Sequence, residues 1–318
     1  MKSTLLILSV CLVSFLSFSQ KDKVYFSIEE ALKTPELVYK LNLSEKGYTH
    51  LPESIGDLTN LVWVDLSFNN LTSLPNTFNN LNHLTDLYLN YNQFDSVPDL
   101  VYDLTSLTYL DLAGNHLTYL PEAIGRLYRL NSLDLNKNEL SSVPYSISNL
   151  TNLTWLDLSS NQLTENPKSL ASLFNLTNLY LNHNHFIAVP DCIKGLKKLN
   201  YLGLSGNNIT KIPDFIKNFT ALTSLNLSEN KITLLPESIG TLSNLKYLYL
   251  NKNELEVLPK SVGGLIQLSS LNLKNNKLDL LPTEIGNLTH LAYLNLASNN
   301  LKSIPKSCEQ LNSLTHIP

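Results

Sequence analysis

The chain has 318 residues, which is long enough for two ordinary globular domains or for one extended repeat array. Its formal net charge is −4 at pH 7, which excludes a protein class that binds nucleic acid through a strongly basic surface. Hydrophobic residues make up 43% of the chain, enough to build a continuous core.

The first nineteen residues predict a cleavable signal peptide. Lys2 supplies a positive charge, residues 5–16 form a mostly apolar run, and Ser17-Phe18-Ser19 has the small-x-small pattern of a cleavage site. The apolar run is shorter than the ~20 residues that a membrane-spanning helix needs. We therefore expect a bacterial-type exported protein that begins near Gln20 and acts in the periplasm, on the cell surface or outside the cell.

A short capping segment is expected to follow, at residues 20–37. Ser27 has the residue type of a helix N-cap, and Glu30 stands where it would complete a capping box. Pro35 then predicts that the helix ends at about Lys33, since proline disfavours helical backbone in the residue before it.

From residue 38 onward the sequence repeats every 23 residues, without insertion or deletion. Eleven regular copies begin at Leu61 and at each equivalent leucine up to Leu291, and a divergent copy begins at Val38. Within a copy, apolar residues occupy positions 1, 4, 6, 11, 14, 18 and 21, as in the copy that begins at Leu222. A repeat of this length indicates stacked supersecondary units, none of which buries its own core alone.

Three positions of the repeat predict its local structure. Apolar positions 4 and 6 around a polar position 5 indicate a short strand with its apolar side chains inward. Position 15 is proline in every copy from Pro52 to Pro305, so the chain leaves the strand and returns through a short turn or helix. Position 9 is asparagine in all regular copies, and its amide both donates and accepts hydrogen bonds. We call these residues the Asn ladder: Asn69, Asn92, Asn115, Asn138, Asn161, Asn184, Asn207, Asn230, Asn253, Asn276 and Asn299.

This pattern resembles the leucine-rich repeat family, and within it the 23-residue LPxxIxxL class found in Ras-group proteins. The resemblance covers residues 38–318, about twelve repeats. It implies an α/β solenoid, or horseshoe, with a parallel β-sheet on the concave face and short helices or 3-10 turns on the convex face. It also implies protein–protein interaction. Ras-group relatives bind intracellular signalling proteins, and the signal peptide argues against that partner class here.

Outward positions of the predicted strands and of the turns that follow them hold both tryptophans and eight of the fifteen tyrosines, and position 3 is aromatic in every second repeat from Trp63 onward. Exposed rings are favourable to cover, so they predict a binding surface for a protein or peptide, or alternatively for a glycan of a cell-envelope or adhesion ligand. A second interpretation is that aromatic residues simply favour strands and that duplication of a two-repeat unit explains their alternation. The aromatic candidates are Trp63, Phe68, Tyr88, Tyr91, Tyr109, Trp155, Tyr180, Tyr201, Tyr247, Tyr249 and Tyr293.

Acidic residues accompany these rings near the start of the array. Position 5 is aspartate on three successive predicted strands, which predicts either a cation site, a docking point for basic side chains, or carboxylates that simply stay solvated. The acidic candidates are Asp65, Asp86, Asp111, Asp134 and Asp157.

No constellation of residues predicts catalysis, a cofactor or a metal. His183 and His185 lack a nearby third ligand, so a zinc site is not expected there. Cys192 and Cys308 are five repeats apart, on the order of 24 Å at the usual strand spacing, which is too far for a disulfide.

Overall fold

The computed structural model describes residues 21–314, and the chain divides into two compact units, one up to Asn138 and one from Glu139 onward. The predicted signal peptide, residues 1–19, lies outside the described residues.

Each repeat contributes one short parallel strand at repeat positions 3 to 5. In the first unit the strands are β1 Val24–Tyr25, β2 Lys40–Asn42, β3 Trp63–Asp65, β4 Asp86–Tyr88, β5 Tyr109–Asp111 and β6 Ser132–Asp134. In the second unit they are β7 Trp155–Asp157, β8 Asn178–Tyr180, β9 Tyr201–Gly203, β10 Ser224–Asn226, β11 Tyr247–Tyr249, β12 Ser270–Asn272 and β13 Tyr293–Asn295. Within each unit consecutive strands pair in parallel, and each repeat residue lies opposite its equivalent, as Trp63 does opposite Asp86.

The return half of each repeat is a five-residue 3-10 helix that follows the repeat's proline. In the first unit these helices are Glu53–Asp57, Asn76–Asn80, Asp99–Asp103 and Glu122–Arg126. In the second unit they are Tyr145–Asn149, Lys168–Ser172, Asp191–Gly195, Asp214–Asn218, Glu237–Thr241, Lys260–Gly264, Thr283–Asn287 and Lys306–Gln310. Proline suits the N-cap because its fixed φ leads into the turn. Parallel strands joined by 3-10 turns confirm the predicted α/β solenoid class.

The N-terminal segment differs from its prediction in two respects, an additional strand and an earlier end of the helix. Residues Val24–Tyr25 form a strand that pairs with Lys40–Asn42, which the sequence pattern did not indicate. Helix α1 comprises Ile28–Ala31 and ends before Lys33. The N–H groups of Lys33 and Thr34 donate to carbonyls three residues earlier rather than four, and a 3-10 helix follows at Pro35–Leu37.

The predicted N-cap contact of α1 is present. The Glu30 N–H donates to the Ser27 hydroxyl over 3.1 Å. The Glu30 carboxylate, which was expected to complete a capping box, pairs with Lys23 Nζ at 3.2 Å. The Ser27 hydroxyl therefore caps the helix, and the Lys23–Glu30 ion pair joins exposed side chains and contributes little to stability.

The repeat core contains one aromatic side chain with an unsatisfied polar group. Tyr102 is fully buried, and within the described part of the chain its hydroxyl has no hydrogen-bond partner. Burial, with Asp99 nearby, raises the pKa of this hydroxyl. An unpaired buried hydroxyl costs free energy that a phenyl ring does not.

We therefore expect Tyr102→Phe to raise the free energy of unfolding by about 1 kcal/mol, measured by urea denaturation. Tyr119→Phe is the matched control, since Tyr119 is 55% exposed. A destabilised Tyr102→Phe protein would indicate that the hydroxyl is bonded to an ordered water.

One repeat breaks the core pattern at position 14, where Asn166 replaces an aliphatic residue. Its amide finds partners, because Asn166 Nδ2 donates to Asp191 and the Cys192 N–H donates to Asn166 Oδ1 over 3.3 Å. The backbone also departs locally, with ψ of 81° at Pro167, which caps the 3-10 helix of this repeat. Cys192 and Cys308 are free thiols, and burial raises the pKa of Cys192 to about 12.

Candidate functional site

The Asn ladder holds each strand in register with the one before it. Asn207 is representative: its Oδ1 accepts from the Phe186 N–H over 3.1 Å, and its Nδ2 donates to the Leu181 and Leu204 carbonyls, each over 3.0 Å. Two of these partners belong to the preceding repeat and one to its own. The amide therefore joins two adjacent repeats by hydrogen bonds and fixes the register of the outward residues on neighbouring strands.

Alternation along each strand sends the middle residue into the core and the other two outward. Val64 and Leu179, for example, are fully buried, while their strand neighbours on either side are partly exposed. The predicted candidates at repeat positions 3 and 5 accordingly lie on the outward face of the sheet in their own unit, although Asp111 is largely buried there at 9% exposure. Because β-sheet side chains stand roughly perpendicular to the sheet, rings on adjacent strands come within contact distance.

Three rings of the first unit form a continuous cluster on strands β3, β4 and β5. The centroids of Trp63 and Tyr88 are 5.6 Å apart with the planes tilted by 55°. Tyr88 in turn lies 4.7 Å from Tyr109 with a tilt of 34°. We call these residues the first aromatic triad. Such separations are typical of favourable aromatic contacts.

The second unit contains the same arrangement on strands β7, β8 and β9. Trp155 lies 5.3 Å from Tyr180 with a tilt of 49°, and Tyr180 is stacked 4.4 Å from Tyr201 with a tilt of 29°. We call these residues the second aromatic triad. The remaining strand candidates lie further along this unit, with Tyr247 and Tyr249 on β11 and Tyr293 on β13.

Two more rings of the first unit are exposed in the turns after β3 and β4. Phe68 and Tyr91 stack at 4.6 Å with planes 10° apart, and they are 50% and 37% exposed. Both have positive φ, 55° and 54°, a conformation that costs a non-glycine residue roughly 1 kcal/mol. The ring of Tyr91 covers Gly114, where a Cβ would come within 2.6 Å of it. We call Phe68 and Tyr91 the turn pair.

Sequence reasoning missed the left-handed backbone at repeat position 8. Every repeat adopts positive φ there, yet only two of these residues are glycines, Gly114 and Gly206. Those two glycines, and Asn275 at the same position, could have indicated it, because glycine and asparagine adopt left-handed backbone more readily than other residues. The turn places its position-8 side chain beside that of the next repeat, as the turn pair illustrates.

Each aspartate at repeat position 5 also has a role in its own turn. The carboxylates of Asp65, Asp111 and Asp157 accept from the N–H two residues later, over 2.9, 3.0 and 2.7 Å. Asp134 does the same with the Asn136 N–H over 2.9 Å. These contacts explain why aspartate or asparagine stands at this position in most repeats. Asp157 lies in the second unit and Asp111 and Asp134 in the first, on neighbouring strands.

Carboxylates nonetheless influence the rings electrostatically. Burial raises the pKa of Tyr88, and the negative charges of Asp86, Asp111 and Asp65 raise it further. Burial likewise raises the pKa of Tyr109, with Asp111 as the next cause. In the second unit burial raises the pKa of Asp157, while hydrogen bonds from Ser159 lower it.

The histidines that were weighed as metal ligands from the sequence lie on the surface. His183 and His185 are exposed, and His116 Nε2 lies 3.1 Å from Gln93 Oε1. Over residues 21–314, no three histidine, cysteine, aspartate or glutamate side chains are grouped as metal ligands. Over the same residues, no helix has both the length and the apolar content needed to cross a bilayer.

Comparison with known proteins identifies the repeat. A model described as a leucine-rich repeat region matches residues 99–199 and 189–263. A leucine rich repeat model matches residues 36–94, 59–117 and 266–317. None of the curated proteins searched matches the chain significantly.

Solved structures are similar over most of the chain. An LRR protein of Leptospira interrogans is 28% identical with a TM-score of 0.65, covering 93% of this chain and all of that chain. An internalin of Listeria monocytogenes is 27% identical with a TM-score of 0.69, covering 85% of this chain and 84% of its own. The plant peptide hormone receptor RGFR1, in complex with RGF2, is 30% identical with a TM-score of 0.76, covering 89% of this chain and 47% of the receptor chain. The chain belongs to the leucine-rich repeat family.

Proposed function

We propose that this protein is a non-enzymatic recognition module that binds a protein or peptide ligand on the outward faces of its strands. The observation that carries the proposal is the pair of aromatic triads, whose rings are clustered and only half-buried. Tryptophan and tyrosine dominate the binding energy of many protein interfaces because they bury a large area at a small entropic cost.

The scaffold makes these rings suitable as ligand contacts. Their backbone is fixed by parallel strand pairing and by the Asn ladder, so binding need not order a loop. Contacts between neighbouring rings, such as Tyr180 with Tyr201 at 4.4 Å, also restrict the side chains before a ligand arrives. Preorganised groups lose less entropy on association.

Two further points support a protein or peptide ligand and an exported location. A receptor of peptide hormones is among the similar structures, at 30% identity. The N-terminal sequence has the charge, the apolar run and the cleavage pattern of a signal peptide. We therefore propose that the mature chain, from Gln20 onward, meets its ligand outside the cytoplasm.

The proposal is tested by cross-linking the mature chain to the exported fraction of its source cells, then purifying the captured partner and measuring its Kd. Replacing both Trp63 and Trp155 by alanine is expected to weaken binding at least about tenfold, since central aromatic residues of an interface typically contribute ~2 kcal/mol or more.

Exposed rings away from the strands provide the matched control. Tyr119→Ala and Phe174→Ala remove side chains that are 55% and 60% exposed in the connecting segments, and we expect the Kd to stay within about twofold. Equal loss in the control and triad variants would contradict the proposed face. Capture of a glycan alone, on an array probed in parallel, would favour the glycan hypothesis.

A further inference from the structure

The two aromatic triads are related position by position, and we propose that they are two copies of one peptide-binding site, of which the first is selective for arginine side chains. The inference rests on the proposed function and names the ligand chemistry that distinguishes the two copies.

The outward residues of the three strands establish the duplication. Strands β3, β4 and β5 read Trp-Val-Asp, Asp-Leu-Tyr and Tyr-Leu-Asp, whereas β7, β8 and β9 read Trp-Leu-Asp, Asn-Leu-Tyr and Tyr-Leu-Gly. Four of the six outward residues are therefore identical, namely the three rings and one aspartate. The two that differ are Asp86 against Asn178 and Asp111 against Gly203.

The surroundings of the middle ring are duplicated as well. The Thr85 hydroxyl lies 3.0 Å from the Val62 carbonyl and 2.6 Å from Asp86 Oδ2. The Thr177 hydroxyl lies 3.0 Å from the Thr154 carbonyl and 2.9 Å from Asn178 Oδ1. The residue at position 3 of the middle strand is thus held by the same contact in both copies, and only its charge changes.

The turns beside the two triads share one more feature. A glycine with positive φ, Gly114 in one copy and Gly206 in the other, lies against the side chain of the preceding repeat's turn. That side chain is Tyr91 in the first unit and His183 in the second. The first copy therefore has additional aromatic surface in the turn pair.

The two copies differ in the negative charge beside their rings. The three strands of the first triad carry three outward carboxylates, and those of the second carry only Asp157. The carboxylates of the first copy act directly on its rings, because Asp86, Asp111 and Asp65 all raise the pKa of Tyr88. A cation that enters this cluster meets negative charge and ring faces together.

Two of the three carboxylates, those of Asp65 and Asp86, retain acceptor atoms for such a ligand. Asp65 receives the Ser67 N–H and hydroxyl at Oδ1, and within the described part of the chain its Oδ2 has no hydrogen-bond partner. Asp86 is contacted by Thr85 at Oδ2, and its Oδ1 has no partner within the same residues. A carboxylate beside an aromatic face suits a guanidinium, which stacks on the ring while it donates in its own plane.

The two tryptophans of the chain make the two copies separately observable. Trp155→Phe leaves Trp63 as the sole tryptophan, so its fluorescence reports on the first triad. Trp63→Phe leaves Trp155, which reports on the second triad. Phenylalanine keeps an aromatic ring at the silent position.

Each single-tryptophan protein is titrated with the peptide acetyl-Gly-Arg-Gly-Arg-Gly-amide and with its citrulline counterpart, which keeps the shape and removes the charge. The first triad is expected to bind the arginine peptide at least about fivefold more tightly, and the preference should fall as salt rises. The second triad is expected to bind the two peptides within about twofold.

Exchange of the charged residue provides the matched test. Asp86→Asn in the Trp155→Phe protein should reduce the arginine preference at least about twofold, and Asn178→Asp in the Trp63→Phe protein should raise it by a similar factor. Melting curves establish that all four proteins fold.

Equal binding of both peptides at the first triad, or an arginine preference that Asp86→Asn leaves unchanged, would overturn the inference. If the captured partner needs Trp63 and Trp155 for binding but neither triad prefers arginine, the inference fails and the proposed function is still supported. Peptide binding at neither triad, together with no loss of the captured partner in the tryptophan variants, would contradict both.

Discussion

Asn207→Ala is expected to lower the free energy of unfolding by about 4 kcal/mol, because three buried backbone groups lose their partner at once. The Phe186 N–H loses its acceptor, and the Leu181 and Leu204 carbonyls lose a donor, in an environment that water does not reach. Each unsatisfied buried group costs roughly 1–3 kcal/mol. Urea denaturation followed by circular dichroism measures the change.

Asn299 is the matched control for this prediction. It makes equivalent bonds to Leu273, Leu278 and Leu296, but it lies in the last full repeat, where its side chain is only partly buried. Water is able to replace the lost contacts there, so we expect Asn299→Ala to cost only about 1–2 kcal/mol. Similar losses at both sites would mean that burial does not control the strength of the ladder.

Gly240→Ala is expected to destabilise the protein by about 2–3 kcal/mol, because the added Cβ would overlap the backbone of the next repeat. A Cβ at Gly240 would collide with the Ser261 carbonyl oxygen and would stand 2.7 Å from the Ser261 carbonyl carbon. Backbone atoms cannot rotate away as a flexible side chain does, so the packing of two 3-10 helices must change. Thermal and urea unfolding both measure the loss.

Gly195→Ala tests the same chemical change where space is available. Gly195 also lies in a 3-10 helix of the second unit, and a Cβ there would meet only Phe174, at 3.8 Å. Restricting the unfolded chain should then leave stability unchanged or raise it by up to about 1 kcal/mol. Destabilisation of the Gly195→Ala protein to the same extent would indicate a backbone effect rather than close packing.

Sequence reasoning was sufficient for the structure of the single repeat. The repeat length and the prolines determine the local structure of each copy, and the ladder asparagines join each copy to the one before it. Pro52 and its equivalents fix φ and lack an N–H, and only five residues follow before the next buried leucine, so a 3-10 helix forms. The parallel strands follow because identical units stack in register.

The composition of the candidate site was predicted, but its grouping was not. The sequence suggested a row of aromatic residues at position 3 of alternate repeats. Such rings are two strands apart, ~10 Å, which is too far for contact. Tyr88 and Tyr180, at position 5 of the intervening strands, fill the gap and convert separate rings into triads.

Other features depend on interactions that no single repeat encodes. The strand Val24–Tyr25 forms because β2 offers an unpaired edge to any extended segment nearby. Asn166 is tolerated at a core position because Asp191 and Cys192 of the following repeat satisfy its amide.

The sequence by itself determined the repeat, its strands and turns, the inward leucines and the outward rings, because each follows from a local preference repeated in register. Only the tertiary structure decided which rings touch, which carboxylates lie beside them, and where a glycine is required by its neighbour. Those properties depend on distances between repeats, and such distances are set by packing across the sheet and between the 3-10 helices.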